Sequence, residues 1–138
     1  MHVPDATADG PCEECVRIID VPTFLDDRGA LTSAEARDVG FDIARVFVVA
    51  GEPGAERGGH AHVRGRQVLM LASGRVAVDV VTHGRAASVT LPDDGRALAL
   101  EPGVWARQRY LGPGSALAVL CDGPYDPTDY TLDPEPAP

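Results

Sequence analysis

The sequence predicts a single all-β domain in which short antiparallel strands form a closed barrel or a sandwich. Three observations predict this fold class. The 138 residues suffice for one domain with one hydrophobic core. Short runs rich in Val, Leu and Ala alternate with Gly, Pro and Asp at close spacing, which is typical of strands joined by turns. Only one short segment has helical character, so the core is expected to come from sheets.

The predicted elements follow one another closely along the chain. We expect a flexible arm over residues 1–15, where Pro4, Gly10 and Pro11 occur without hydrophobic periodicity. The barrel domain is expected over residues 16–131, followed by a proline-rich tail over 132–138, because prolines lack the amide hydrogens that a sheet needs. Strands are predicted over residues 15–21, 44–50, 58–63, 68–72, 75–81, 87–91, 96–100, 105–110 and 115–122.

Two local signals add a helix and a hairpin to this series of strands. The only predicted helix covers residues 33–39, with Thr32 or Ser33 as its N-cap and Glu35 near its first turn. Residues 82–85 predict a hairpin turn in which Gly84 takes a positive φ.

Charge and composition exclude several classes of function. The formal net charge is −9, and there is no run of basic residues, so we expect neither nucleic acid nor a membrane surface as a partner. All 12 basic residues are arginines, which excludes lysine Schiff-base chemistry and leaves guanidinium groups to bind carboxylates or phosphates. No apolar run approaches the ~20 residues of a membrane span, and no secretory signal is evident, so the cytoplasm is the expected location.

Cys12 and Cys15 have the spacing of half a zinc knuckle or of a redox dithiol. A structural zinc site needs a second pair of ligands, and none occurs at a suitable spacing. Glu13 and Glu14 would raise the thiol pKa values, which is the opposite of what a redox motif requires. We therefore expect two thiols without a functional role.

The residues best suited to chemistry are His60 and His62. Side chains two apart on a strand project from the same face, so the two imidazoles would converge on one side of the sheet. Facing a barrel interior, they would form either a metal site or an acid/base pair. On an edge strand they would be surface histidines without a function.

The spacing around the histidines resembles the first sequence motif of the cupin barrel, a small jelly roll. After His62 come four residues, then Gln67, then six residues and Gly74. Metal-binding cupins have a glutamate at the first of these positions and a further histidine in a second motif, where this chain has Ala106. An amide and a methyl group are poor partners for two imidazoles on a cation, so the resemblance implies a site with no metal and no cofactor.

A more specific resemblance is to the TDP-4-keto-6-deoxyhexose 3,4-ketoisomerases, a small cupin family, and it covers nearly the whole chain. In order, the matching segments are Asp27-Arg28-Gly29-Ala-Leu31 with Glu35, Phe41-Asp-Ile-Ala-Arg45-Val-Phe47, Arg57-Gly-Gly-His60-Ala-His62 with Gln67, Pro102-Gly-Val-Trp105, and Tyr125-Asp126-Pro-Thr-Asp129-Tyr130. The resemblance implies metal-free proton transfer on a deoxysugar nucleotide, and a homodimer paired through its sheets.

The resemblance also implies roles for individual residues. His60 would be the leading base and His62 its shuttle or orienting partner, since imidazole titrates near neutral pH. Arg45 or Arg57 would bind the pyrophosphate or the developing oxyanion. Three further side chains are expected at the substrate: Gln67 as a neutral hydrogen-bonding group, Trp105 as an apolar wall and Tyr130 at the mouth of the barrel.

Departures from the family pattern keep two other functions open. Where the family often has a tyrosine, this chain has Phe47 and Val48, and where it usually has Lys or Arg, this chain has Val63. A less polar cavity would suit a cyclase acting on a polyketide-type intermediate, with Phe47, Met70, Leu71 and Trp105 enclosing the substrate. The third possibility is a binding barrel without catalytic activity.

Overall fold

Two five-stranded antiparallel sheets form the barrel in a computed structural model that describes residues 14–131. In chain order the elements are β1 (Val16–Ile19), β2 (Thr23–Asp26), β3 (Gly29–Thr32), α1 (Ala36–Val39), β4 (Arg45–Gly51), β5 (Glu56–His62), β6 (Gln67–Ser73), β7 (Val76–Thr82), β8 (Arg85–Leu91), β9 (Ala97–Leu100), β10 (Trp105–Tyr110), β11 (Ser115–Cys121), a 3₁₀ turn (Pro127–Asp129) and β12 (Tyr130–Thr131). Among the described residues, no helix is long and apolar enough to cross a membrane.

The first sheet has the strand order β1-β9-β6-β11-β4, and the second has the order β12-β5-β10-β7-β8. Because side chains alternate along each strand, every second residue faces the space between the sheets. That space holds the main core, which includes Leu69, Leu71, Val78, Leu98 and Leu117. The predicted all-β cupin barrel with one short helix is confirmed.

A second apolar cluster covers part of the outer face of the first sheet. Val68, Ala99 and Leu120 project outward from their strands and pack against Val39 of α1 and the neighbouring Phe41. The short helix and the segment after it therefore protect this part of the sheet from water, while the interior of the barrel remains available for a site.

All nine predicted strands are present in the structure, with ends that differ by a few residues. The predicted helix begins later than expected: Glu35 is the N-cap, and the side chain of Asp38 accepts a hydrogen bond from its amide. In the β7–β8 turn, both His83 (φ 53°) and Gly84 (φ 72°) adopt positive φ, as a two-residue type I′ hairpin requires. The predicted arm over 1–15 lies almost entirely outside the described residues, as do Cys12 and the tail over 132–138.

The sequence analysis missed three strands. β2 and β3 form a separate hairpin, and β12 adds two residues to the edge of the second sheet. The hairpin escaped prediction because its hydrophobic residues do not alternate: Phe24, Leu25 and Leu31 are all exposed. β12 escaped because two residues are too few for a sequence pattern.

Replacing Gly51 with alanine should destabilise the barrel. A Cβ at this position would lie 2.3 Å from Cγ of Tyr110, whose ring is fully buried. Overpacking of this kind costs about 1–3 kcal/mol in the free energy of unfolding, which chemical denaturation measures. The matched control is Gly112→Ala, since nothing lies within 4 Å of a Cβ there. Equal stability of the two variants would contradict the expected clash.

Candidate active site

The barrel encloses a cavity of about 190 Å³ between its two sheets. The strands supply its lining through their inward-facing positions. The lining residues are Arg45, Phe47, Val49, Arg57, Gly58, His60, Gln67, Leu69, Gln108, Tyr110, Leu117, Val119 and Tyr130. Of the sequence-predicted site residues, Arg45, Phe47, Arg57, His60, Gln67 and Tyr130 all contribute to this wall.

A β-bulge in β5 allows two of these residues to share the cavity. Arg57 and His60 are three positions apart, so a regular strand would place them on opposite faces. The register against β10 shifts here: Ala106 pairs with His60 and Arg107 pairs with Gly58, which leaves Gly59 as an extra residue. The extra residue returns the chain to the same face, and bulges commonly redirect side chains next to sites.

The two bulge glycines are required by the backbone and by space. Gly58 and Gly59 have φ values of 83° and 81°, which favour glycine. A Cβ on Gly58 would also lie 2.7 Å from the side-chain oxygen of Gln108. The pair of glycines before His60 is therefore the local sequence signal for the geometry of the site.

The structure brings the two histidines together. The rings of His60 and His62 meet edge to face, with their centroids 5.5 Å apart. The ring of Tyr130 contacts both, at centroid distances of 4.9 Å from His60 and 4.5 Å from His62. His60 lines the main cavity, whereas His62 lines a smaller space of about 10 Å³ next to it, which His60 also borders.

Burial sets the protonation of His60. Loss of hydration lowers the pKa of His60 below its ordinary value of 6.5, and the charge of His62, when that ring is protonated, lowers the pKa of His60 further. His60 is therefore neutral at pH 7, with one ring nitrogen able to accept a proton. Its Nδ1 is buried and has no hydrogen-bond partner among the described residues, and the same is true of Nε2 of His62.

His62 has a carboxylate partner that the sequence analysis did not assign to the site. The Nδ1 of His62 lies 3.1 Å from Oδ2 of Asp129, at the end of the 3₁₀ turn that precedes β12. Asp129 is separated from His62 by 67 positions in the sequence, so only the return of the chain to the edge of β5 brings the two groups together. The sequence contains no local signal for this contact.

The two cavity arginines differ from most other arginines of the chain. Neither Arg45 nor Arg57 forms an ion pair with a carboxylate of residues 14–131. The guanidinium carbon of Arg45 lies 4.5 Å from the centroid of the Phe47 ring and 5.0 Å from that of the Tyr125 ring. Eight arginines do form such pairs: Arg17, Arg28, Arg37, Arg64, Arg66, Arg75, Arg107 and Arg109. The positive charges at the cavity are therefore free to bind an anion.

Gln67 is buried and donates a hydrogen bond from Nε2 to the sulfur of Cys121, at 3.5 Å. Burial raises the pKa of the Cys121 thiol, which keeps it neutral at pH 7.

Within residues 14–131, no group of three or more His, Cys, Asp or Glu side chains is arranged to hold a metal ion.

The structure does not bring Met70 or Trp105 to the cavity. Gln67, Leu69 and Leu71 face the interior of the barrel from β6. Met70 faces the opposite side of this strand and packs into the outer cluster beside α1. Trp105 lies on the outer side of β10, where Arg107 lies 5.7 Å from its ring. In both strands the neighbouring position faces inward, so neither of these two side chains lines the cavity.

Sequence reasoning also missed two inward-facing residues of β10, Gln108 and Tyr110. Tyr110 lines the cavity, and its buried hydroxyl has no hydrogen-bond partner among the described residues. Gln108 and Tyr110 lie two and four positions after Ala106, so all three side chains face the same side of β10. Once Ala106 is placed inside the barrel, the inward orientation of both residues can be predicted from the sequence.

Comparison with known proteins yields relatives along almost the whole chain. The family described as "FdtA: WxcM-like, C-terminal" matches residues 14–136. The TDP-4-oxo-6-deoxy-α-D-glucose-3,4-oxoisomerase of Aneurinibacillus thermoaerophilus is 30% identical over 116 residues, which cover 83% of this chain and 84% of that protein.

Two solved structures have the same fold. The sugar 3,4-ketoisomerase QdtA of Thermoanaerobacterium thermosaccharolyticum, in complex with TDP, has a TM-score of 0.79 and 30% identity, with 88% of this chain and 90% of that chain covered. The TDP-quinovose 3,4-ketoisomerase WlaRB of Campylobacter jejuni has a TM-score of 0.74 and 27% identity, covering 86% of this chain and 92% of that one. The chain therefore belongs to the FdtA family of WxcM-like C-terminal domains, and the resemblance to the cupin 3,4-ketoisomerases is confirmed.

Proposed function

We propose that this protein is a sugar-nucleotide 3,4-ketoisomerase that acts on a TDP-4-keto-6-deoxyhexose. The observation that carries the proposal is a neutral, half-buried His60 in the wall of the cavity between the two sheets, which Arg45 and Arg57 also line without a carboxylate partner. Curated and solved relatives with this reaction cover more than four-fifths of the chain.

The reaction needs only proton transfers. A base removes the proton from the hydroxyl-bearing C3, and the electrons form an enediolate with the carbonyl at C4. The hydroxyl proton on the oxygen at C3 moves to the oxygen at C4, and return of the abstracted proton to C4 leaves the carbonyl at C3. Atoms and electrons balance without an oxidant or a reductant, so the residues must supply a base, an acid and a stabiliser of the enediolate.

The residues of the cavity match these requirements. His60, neutral at pH 7, is the base, and its protonated form returns the proton, with His62 as its orienting partner. A guanidinium group of Arg45 or Arg57 stabilises the enediolate or binds the pyrophosphate. Gln67 and Tyr130 complete the polar wall around the sugar.

The size of the cavity supports a sugar ring inside and a nucleotide outside. At about 190 Å³ it is smaller than the roughly 300–1,000 Å³ of sites that enclose drug-sized ligands. A single ring therefore fits within the barrel, while the pyrophosphate and nucleoside lie at its opening.

The proposed reaction does not use a metal. The carboxylate nearest the histidines, Asp129, is already occupied by His62 and by backbone amides. Gln67 and Ala106, which border the same space as the rings, offer no anionic ligand, and Glu101, which also borders it, pairs with Arg17. This donor set suits proton transfer better than binding of a divalent cation.

The alternative function, a cyclase acting on a polyketide-type substrate, has no supporting observation. It required Met70 and Trp105 to enclose an apolar substrate, and both lie outside the barrel interior. The arginines, glutamines and the Tyr110 hydroxyl instead favour a ligand with many oxygens.

We also propose that the protein is a homodimer held in part by the β2–β3 hairpin. Two paired strands alone are only marginally stable in water, and this hairpin makes few contacts with other strands. Phe24 and Leu31, which face each other across it, are 64% and 59% exposed. Val46 and Val48 on the outer side of edge strand β4 are also exposed and offer a matching apolar surface on a second copy.

His60→Asn should abolish isomerisation. Loss of the base should lower the rate by about 10²–10⁴-fold, measured by NMR as deuterium exchange from solvent into TDP-4-keto-6-deoxyglucose. Since only the neutral imidazole is active, the rate should rise with pH through the lowered pKa of His60, with a midpoint below that of an ordinary imidazole. His83→Asn, in the exposed β7–β8 turn where asparagine tolerates the positive φ, is the control. Exchange at the wild-type rate in His60→Asn would contradict the assignment.

TDP should raise the melting temperature of the wild-type protein, since a ligand that binds only the folded state stabilises it. Substituting both Arg45 and Arg57 with glutamine should remove most of this shift, because a charge-assisted hydrogen bond contributes about 1.5–3 kcal/mol. The single variants show which arginine binds the pyrophosphate. Arg75→Gln, which loses only an exposed pair with Asp93, should bind TDP normally. An unchanged shift in the double variant would exclude these arginines as the anion site.

Light scattering during gel filtration should give twice the chain mass for the wild type. The double variant Phe24→Ser/Leu31→Ser should shift toward the monomer, since it removes the apolar surface of the hairpin. Leu111→Ser is the control, because Leu111 is also exposed but lies away from the hairpin. A monomeric wild type, or a double variant that remains fully dimeric, would refute this arrangement.

A further inference from the structure

The carboxylate of Asp129 lies directly behind His62 and is almost completely withdrawn from water. Its side chain is 12% exposed. Oδ1 accepts a hydrogen bond from the amide of Arg64 at 2.7 Å, and Oδ2 accepts one from the amide of Gly65 at 3.1 Å. Oδ2 is also 3.1 Å from Nδ1 of His62. Each oxygen therefore has at least one partner at hydrogen-bonding distance.

These contacts fix the charge of Asp129. Burial alone would raise its pKa, but the hydrogen bonds from the Arg64 amide, the His62 ring and the Gly65 amide outweigh burial and hold the pKa of Asp129 below its ordinary value. An ionised carboxylate can only accept hydrogen bonds. The proton between the two groups must therefore belong to Nδ1 of His62.

The position of that proton determines what His62 presents to the site. With Nδ1 protonated, neutral His62 has its lone pair on Nε2. Nε2 is buried without a partner among the described residues, and the ring borders the small space that it shares with His60. The three groups thus follow one another outward from the cavity: His60, then His62, then Asp129.

The surrounding backbone holds Asp129 rigidly in place. Its carbonyl accepts a hydrogen bond from the amide of Val63 at 2.7 Å, and the next residue, Tyr130, pairs with His62 in the β12–β5 ladder. Gly65 is needed for the approach, because a Cβ there would lie 2.8 Å from Oδ2 of Asp129. The C-terminal segment and the loop after β5 are therefore fitted to each other around this carboxylate.

We propose that Asp129 is a positioning residue that fixes the Nδ1–H tautomer and the orientation of His62. His62 then turns a lone pair, rather than an N–H group, into the space behind His60. A lone pair there favours the imidazolium that His60 becomes after it removes the proton from the sugar. The kinetic part of this inference rests on the proposed function, whereas the tautomer of His62 does not.

The first test is the tautomer itself, measured by two-bond ¹⁵N–¹H NMR correlation of the histidine rings in the full chain. Wild-type His62 should show a protonated Nδ1 and an unprotonated Nε2. Asp129→Asn should lose this preference, since an amide can donate as well as accept. Asp126→Asn is the matched control: Asp126 lies in the same turn and contacts Arg64 and Thr128, but has no contact with His62. Its His62 signals should match those of the wild type.

The second test is kinetic. Loss of a carboxylate that orients a metal-bound histidine typically reduces activity by about 10–100-fold, and a reduction of this size is expected for the metal-free His62. Asp129→Asn should lower kcat by this factor and change KM by less than about twofold, while Asp126→Asn retains both values. If the carboxylate only anchors the C-terminal segment, Asp129→Asn should instead lower the melting temperature without a selective decrease in kcat.

Two results would overturn the proposal: a wild-type His62 protonated on Nε2, or an Asp129→Asn variant with unchanged kcat. If Asp129→Asn does not fold, the wild-type tautomer alone decides. If the wild type fails to isomerise TDP-4-keto-6-deoxyglucose, the proposed function fails, and the tautomer measurements on the wild type and both variants still decide the role of Asp129.

Discussion

The constraint on which the site depends is the parity of the side chains along β5, that is, whether each one faces the interior or the outside of the barrel. In a barrel of short strands, each position faces either the interior or the outside, and neighbouring positions take opposite faces. The bulge at Gly59 changes this parity once, between Arg57 and His60. Without it, either the guanidinium or the imidazole would point away from the cavity. One residue without a side chain thus brings a cation and a base into the same small volume.

The same parity explains which parts of the site could be predicted from the sequence. His60 and His62 were placed on a common face because they are two apart, and Gln67 was expected inside the barrel from the resemblance to the cupin motif. The strands themselves were evident from alternating apolar runs and their turns. Trp105 was expected at the cavity from the family resemblance, and Met70 as part of the apolar wall of a cyclase, yet alternation puts both on the outside of their strands.

Asp129 lay beyond the reach of sequence reasoning for a different reason. A contact between side chains 67 positions apart depends on how the chain closes, and a two-residue strand after a 3₁₀ turn has no periodic pattern to reveal it. The hairpin of β2 and β3 posed the same difficulty, since its exposed Phe24, Leu25 and Leu31 do not alternate with polar residues. Local patterns predicted the barrel well, but the contacts formed by its irregular edges depend on tertiary structure.

The distribution of charge separates the exterior of the barrel from its interior. Most arginines pair with carboxylates, and such exposed pairs contribute only about 0–1 kcal/mol each. Arg45 instead lies between two aromatic rings, which orient its guanidinium without neutralising it. Tyr110, another residue of the cavity wall, has a hydroxyl without a hydrogen-bond partner among the described residues. Arg45 and Arg57 therefore keep their charge available to an anionic ligand, which the paired arginines do not.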